Sequence, residues 1–323
     1  FSRRFVVAGR VKYAVGRRSG VPLAELPNLA RHATLALCVK LMKVGLVLEG
    51  GAMRGMFTAG VLDVFLDEQI HIDGIVSVSA GALFGVNFPS KQKGRVLRYN
   101  KKYLNDKRYM GWHSLFTTGN IVNKDFAFYQ LPFELDVFDQ AAFARSGIDF
   151  YTVLTNVGSG EAEYVKIHDA FEQMETLRAT SAMPFVSKMV EINGKKYLDG
   201  GIADSIPLRF CQQLGYDKII VILTRPLDYR KTPTNPLIFN AFYRRYSKLV
   251  ERLTNRYADY NRAVEEVIHL NEQGQIFVIR PSVTLPIRRI EKDVAKVQAM
   301  YDLGVADAKM AMPMLKQYLS EAF

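Results

Sequence analysis

With 323 residues, 49% of them hydrophobic and 23% charged, the chain has the length and composition of one large α/β domain or two ordinary ones. Its formal charge of +11 is concentrated in residues 1–43, where nine Lys/Arg face the single acid Glu25, leaving only +3 for the rest, so no nucleic-acid surface is implied. Cys38 and Cys211 are too few for a disulfide framework or a metal site and read as free thiols of a reducing compartment, and no run reaches the ~18 apolar residues of a membrane-spanning helix.

The first 42 residues begin at Phe1 and lack clear periodicity; they are expected to be a basic extension, disordered or not native, ahead of Met42. From Lys43 strands and helices alternate. Val44–Leu48 reads as a buried strand closed by Gly50-Gly51, and Met56–Asp67 as a helix with Val61, Leu62, Phe65 and Leu66 at helical spacing. A strand over 74–78 and helices over 80–88 and 91–104 follow, the last with a polar face of Lys91, Lys93, Arg95 and Lys101. Further on come strands at 149–157 and 163–167, a helix over 169–182, and a hairpin of 185–192 and 195–198 about Asn193-Gly194. A helix over 208–214, a strand over 218–223, a long helical region over 236–272, a strand over 275–280 and a helix from Glu291 complete the pattern. The alternation predicts a mostly parallel sheet with helices on both faces. The Pro/Thr/Asn-rich stretch 230–236 marks the expected boundary between an α/β domain at 43–229 and a mainly helical region at 230–323.

Three motifs fall at strand ends, where open α/β sheets place their sites. In Glu49-Gly50-Gly51-Ala52-Met53-Arg54-Gly55 a Gly-rich turn opens a helix, and its free N–H groups suit a phosphate or a developing oxyanion. In Ser77-Val78-Ser79-Ala80-Gly81 small residues flank a serine between strand and helix. Ser79 is then a nucleophile, with the Ala80 N–H as an oxyanion donor, or simply a helix cap. In Tyr197-Leu198-Asp199-Gly200-Gly201 an acid stands at a strand end before two glycines, as in many turns. Together the three make a set suited to acyl transfer.

Over about 44–224 the sequence resembles the patatin-like phospholipase family. That family's G-G-G-x-(R/K)-G matches Gly50 to Gly55, its G-x-S-x-G matches Ser77 to Gly81, its D-G-G/A matches Asp199-Gly200-Gly201, and Arg178 to Pro184 resembles the segment ahead of the aspartate. The resemblance implies a three-layer α/β sandwich with a mostly parallel central sheet and a Ser79–Asp199 dyad without histidine. It also implies hydrolysis of lipid carboxylic esters through an acyl-enzyme, and no cofactor or metal. Two positions depart from the pattern. Ala52 replaces a glycine, at a cost of about 1–2 kcal/mol if φ is positive there, and Ser77 replaces the first glycine of the elbow.

A catalytically weak or silent lipid-binding protein is the alternative, and His269, which follows Ser79 and Asp199 in the chain, offers a rival triad. Arg54 either positions the oxyanion loop, favours anionic headgroups, or forms a surface salt bridge. The partner expected is a lipid ester. In the stretch 237–256, apolar residues from Leu237 to Leu253 alternate with Arg244, Arg245, Lys248, Arg252 and Arg256. That helix is either packed with a solvated basic face or in peripheral contact with an anionic membrane, in a protein expected in the cytoplasm.

Overall fold

The computed structural model describes residues 42–321; the basic extension and Cys38 lie outside the described residues, apart from Met42. In chain order the elements are β1 (Val44–Leu48), α1 (Met56–Asp67), β2 (Gly74–Ser77), α2 (Ala80–Gly85), α3 (Arg95–Tyr103), α4 (Trp112–Thr118) and α5 (Gln140–Arg145). Then follow β3 (Asp149–Asn156), β4 (Ala162–Ile167), α6 (Met174–Thr180), β5 (Val190–Ile192), β6 (Lys195–Asp199), α7 (Leu208–Gln213) and β7 (Lys218–Ile222). The chain closes with α8 (Pro236–Tyr243), α9 (Ser247–Glu272), β8 (Phe277–Ile279) and α10 (Val294–Ser320).

Strands β3, β2, β1, β7 and β8 lie side by side and parallel; β4, β5 and β6 are antiparallel additions at the β3 side. Alternation along β1 sorts its side chains between two layers. Leu46 and Leu48 join a core with α1, α2 and α10, and Val47 joins one with α7 and α9. Helices cover both faces, which is the three-layer α/β sandwich expected. Helix α1 is buried nearly all round because α10 lies on its outer side. The two cross closely: a Cβ on Gly60 would stand 2.2 Å from the Tyr301 carbonyl oxygen, and one on Gly304 2.2 Å from that of Phe57.

One feature of β3 decides where the chemistry sits. Strand β4 occupies one edge of β3 from Phe150 to Thr155. The opposite edge is shared: β2 pairs in parallel through Ser77↔Thr152, and β6 pairs antiparallel from Asp199↔Leu154. Strands β2 and β6 therefore run toward each other along the same edge, and their C-terminal ends meet at Val153.

Several elements differ from the sequence expectation. Helix α3 starts only after Gly94, and Arg95 is not on its polar face: it is buried at 4% exposure and paired with Asp136 at 3.2 Å. The 185–192 strand shrinks to Val190–Ile192, since Phe185 has φ +70°. The helix over 237–256 is two helices, α8 and α9, broken at Arg244–Tyr246. Periodicity continues through the break because Phe239 and Tyr243 of α8 and Leu249, Val250 and Leu253 of α9 bury against the same small core. Its basic face is thinner than the sequence suggests. Arg252 pairs with Glu161 and Asp259, and Arg256 is turned inward onto the Gly201 carbonyl.

Candidate active site

Ser79 and Asp199 are the two residues brought together where β2 and β6 meet. Ser79 Oγ donates to Asp199 Oδ2 at 2.7 Å, and both are buried, at 8% and 5% exposure. Ser79 has φ 55° and ψ −124°, a strained conformation for a residue with a Cβ. It makes no side-chain cap to α2, so the capping reading does not hold. The strain is held from outside. Thr180 Oγ1 accepts the Ser79 N–H at 2.9 Å and donates to the Val153 carbonyl at 2.6 Å, tying the elbow to the meeting point on β3.

Asp199 is fixed equally firmly. Its Oδ1 accepts the Gly201 N–H at 2.8 Å, and its carbonyl accepts the Thr155 hydroxyl at 2.8 Å. Gly200 must lack a side chain, because a Cβ there would lie 2.0 Å from the Val153 carbonyl oxygen. Burial pushes the Asp199 carboxyl above the usual carboxylate range, while Arg256, the Ser79 hydroxyl, the Gly201 N–H and Lys231 pull it back.

The Gly-rich turn leaves β1 beside the serine; a Cβ on Gly50 would lie 3.0 Å from the Ser79 Cβ. The N–H groups of Gly51, Ala52 and Ala80 have no acceptor among the described residues and are available to an oxyanion. Ala52 does adopt positive φ, +48°, so the cost attached to its Cβ is incurred. Ser77 is better accommodated: it is fully buried and its hydroxyl donates to the Tyr151 carbonyl at 2.8 Å across the sheet. Gly55 and Gly81 stand behind the turn and the elbow, Gly81 against the Leu48 and Glu49 carbonyls. Arg54 forms no ion pair among the described residues, which removes the surface salt-bridge reading; burial and neighbouring Arg225 push it down to about 10. His269 is no third member. It lies exposed near the end of α9, with its ring 2.9 Å from Gln273.

A cavity of about 140 Å³ is lined by Ser79 and walled by apolar side chains such as Leu83, Phe84, Phe128, Leu131, Leu177 and Met183. Much of its wall comes from 105–148, where the sequence reading assigned no element; the π-helical turn Asp125–Leu135 with Pro132 inside lies there. Also missed were Thr180, although it lies in the Arg178–Pro184 motif, and Glu49. The Glu49 carboxylate anchors the Gly-rich turn by accepting from the Thr224 N–H at 2.5 Å and the Tyr260 hydroxyl at 2.9 Å.

A strained strand-to-helix turn carrying Ser79, the strand-end Asp199 bonded to it and a Gly-rich turn with free N–H groups lie together on a three-layer α/β sheet. The patatin-like phospholipase model matches residues 46–211, more than half of the chain, and the chain belongs to that family. A domain of unknown function, DUF6363, matches residues 246–320. Among similar proteins, YjjU of Escherichia coli K12, named only as an uncharacterized protein, is 31% identical over 59% of this chain and 54% of its own length. Lysophospholipase NTE1 of Cryptococcus neoformans (strain JEC21) is 25% identical over 77% of this chain but only 16% of its own length. The chain thus spans about half of the first relative and a small part of the second. A solved structure, VipD from Legionella pneumophila, matches 84% of this chain and 67% of its own at 13% identity and a TM-score of 0.37.

Proposed function

We propose that the protein hydrolyses carboxylic esters of lipids through an acyl-enzyme on Ser79, with Asp199 as general base. The observation that carries this reading is the 2.7 Å bond from Ser79 Oγ to Asp199 Oδ2 at the end of an apolar cavity. Family membership and the lysophospholipase relatives support the lipid class of substrate. Asp199 takes the hydroxyl proton as Oγ attacks the ester carbonyl. The N–H groups of Gly51, Ala52 and Ala80 stabilise the oxyanion, each worth about 3–4 kcal/mol in the transition state. Collapse breaks the ester C–O bond, and the leaving alkoxide takes the proton from Asp199. Water then attacks the acyl group, gives its proton to Asp199, and releases the acid as Ser79 recovers its own. The raised carboxyl brings Asp199 closer to the basicity this role needs.

The same reading includes peripheral contact with an anionic membrane, through α8 rather than one long helix. Leu237, Ile238 and Phe242 are exposed there beside Phe185, with Arg244 and Arg245 following.

The test is fluorophosphonate labelling with short-chain ester turnover on wild type, Ser79→Ala and Asp199→Asn. Labelling at Ser79 is expected, with turnover falling by roughly 10³-fold or more in each variant. An unlabelled, inactive wild type would favour the lipid-binding alternative, with the strained Ala52 as the first position to change.

A further inference from the structure

Helix α9 touches both halves of the site, from two residues one helical turn apart. Arg256 donates its Nε–H to the Gly201 carbonyl at 2.6 Å, and Tyr260 donates to Glu49, the anchor of the Gly-rich turn, at 2.9 Å. The first contact bears on the base. Gly201 donates its own N–H to Asp199 Oδ1 at 2.8 Å, while Asp199 Oδ2 accepts the Ser79 hydroxyl at 2.7 Å. A Cβ on Gly201 would lie 3.1 Å from Asp199 Oδ1 and 3.4 Å from Arg256 Nη2, so the carboxylate and the guanidinium flank the same glycine. The Ser205 hydroxyl also donates to the Gly201 carbonyl, at 2.7 Å, and accepts from Lys231 Nζ at 3.3 Å. Asn261 of α9 holds the Lys231 backbone in turn, accepting its N–H at 2.8 Å and donating to its carbonyl at 3.0 Å.

The charges around Asp199 single out Arg256. Burial raises the carboxyl, and of the groups that oppose burial Arg256 is the strongest, ahead of the Ser79 hydroxyl, the Gly201 N–H and Lys231. Lys231 cannot take its place. Burial and the neighbouring Arg256 push the Lys231 ammonium well down toward its neutral form, whereas a guanidinium keeps its charge. Arg256 itself faces Asp199, Arg289, Tyr229, Tyr260 and Lys231, and of these only Asp199 is a carboxylate. It forms no ion pair among the described residues, although Arg252, one turn earlier on α9, pairs with both Glu161 and Asp259. A half-buried guanidinium whose hydrogen bond goes to a backbone carbonyl is costly unless its charge is used.

We propose that Arg256 is the positioning residue of the Ser79–Asp199 dyad: through Gly201 it holds the carboxylate against the serine, and its charge keeps that carboxylate ready to accept a proton. The inference rests on the hydrolase reading of Ser79 and adds a third participant, one that acts through Gly201 and across space rather than on the ester. Burial alone would keep Asp199 protonated over more of the pH range, and a protonated Asp199 cannot take the Ser79 proton. Arg256 lies outside the residues matched by the phospholipase family and inside the stretch matched as a domain of unknown function. That stretch thereby acquires a role: it braces and charges the base that the phospholipase portion supplies.

The test follows kcat/KM for 4-nitrophenyl butyrate against pH in the full chain, beside two variants. Arg256→Gln removes the charge and keeps a donor, and Arg256→Lys keeps the charge. Carbon-13 NMR of the Asp199 carboxyl, assigned through Asp199→Asn, reads the ionisation without turnover. With the charge gone, burial is less opposed, so in Arg256→Gln the acid limb and the carboxyl titration should both move up by about one to three pH units. Above that limb its kcat should stay down roughly tenfold or more with KM little changed, because the base is less well placed. Arg256→Lys should bring both titrations back toward their wild-type positions. A carboxyl titration that Arg256→Gln leaves in place overturns the inference, as does a loss of activity equal at every pH, the mark of a structural role. Should Arg256→Gln fail to fold, Arg256→Lys decides: an unmoved limb supports the inference, and a limb raised by about one unit or more overturns it. A wild type that turns over no ester, while Arg256→Gln still raises the Asp199 titration, sinks the hydrolase reading and keeps the hold of Arg256 on Asp199.

Discussion

Asp199 is held in a place that does not suit its charge. The folded protein raises its carboxyl above the unfolded value of about 3.9 chiefly by burying it. The folded state therefore binds the proton more tightly than the unfolded chain does. Stability from this group falls as pH rises from that unfolded value through the raised folded one, and the loss is complete above it. Asp199→Asn, which keeps the shape and removes the charge, should melt higher than wild type at pH 7, with a gain that shrinks as pH drops toward 4. Thermal unfolding across pH checks this, and a variant less stable than wild type at pH 7 would show that Arg256 and the hydrogen bonds outweigh burial. At this scale the sequence was readable where a residue sits inside a motif. Ser79 and Asp199 each stand between small residues at a strand end, and the pattern names them. Thr180 lay in a motif but nothing in a threonine between Ala179 and Ser181 signals that it braces another residue's backbone.

Among the elements, α1 and α10 cross with backbone close to backbone. Gly304→Ala would press a Cβ onto the Phe57 carbonyl, where backbone rather than a flexible side chain must yield, and should cost about 1–3 kcal/mol in denaturant unfolding. No loss would mean that α10 slides on α1 without harm. Strands and α1 were legible because their apolar runs are short, flanked by glycine or polar residues, and buried. The break between α8 and α9 was not, since no Gly or Pro marks Arg244–Tyr246 and both helices address one core with one periodicity. The 105–148 stretch was opaque for a related reason. It lines a cavity with scattered aromatic residues, and a π-helical turn has no simple repeat in sequence.

For the molecule as a whole, no helix among the described residues is long and apolar enough to cross a membrane. What the surface carries instead is a set of exposed apolar side chains on neighbouring segments. Trp112 and Phe116 of α4 are 69% and 83% exposed, and Phe242 of α8 is 66% exposed. Ile121, just beyond α4, donates its N–H to the Val186 carbonyl at 2.7 Å, and Phe185 beside it packs on Phe242 of α8; Met110 and Met183 of the cavity wall lie close by in sequence. If this face docks on lipid, Phe242→Ser should weaken sedimentation with phosphatidylglycerol vesicles by roughly tenfold or more, and added salt should weaken it further. Binding indifferent to Phe242 would move the contact elsewhere. The family and the sheet were legible at this scale from three short motifs. The way the C-terminal region reaches back to the site was not, because charge counts carry no direction.

The meeting of β2 and β6 at Val153 makes the site a gauge of sheet register. The serine and the aspartate are 120 positions apart in the chain, and each follows its own strand's pairing with β3. Sliding β6 by one residue turns Asp199 to the opposite face, and sliding it by two carries it about 7 Å along the strand. Partly paired chains are therefore silent, and during refolding ester turnover should return after the secondary-structure signal has recovered. On the hydrolase reading, a newly made chain is without activity until its sheet is closed in the right alignment.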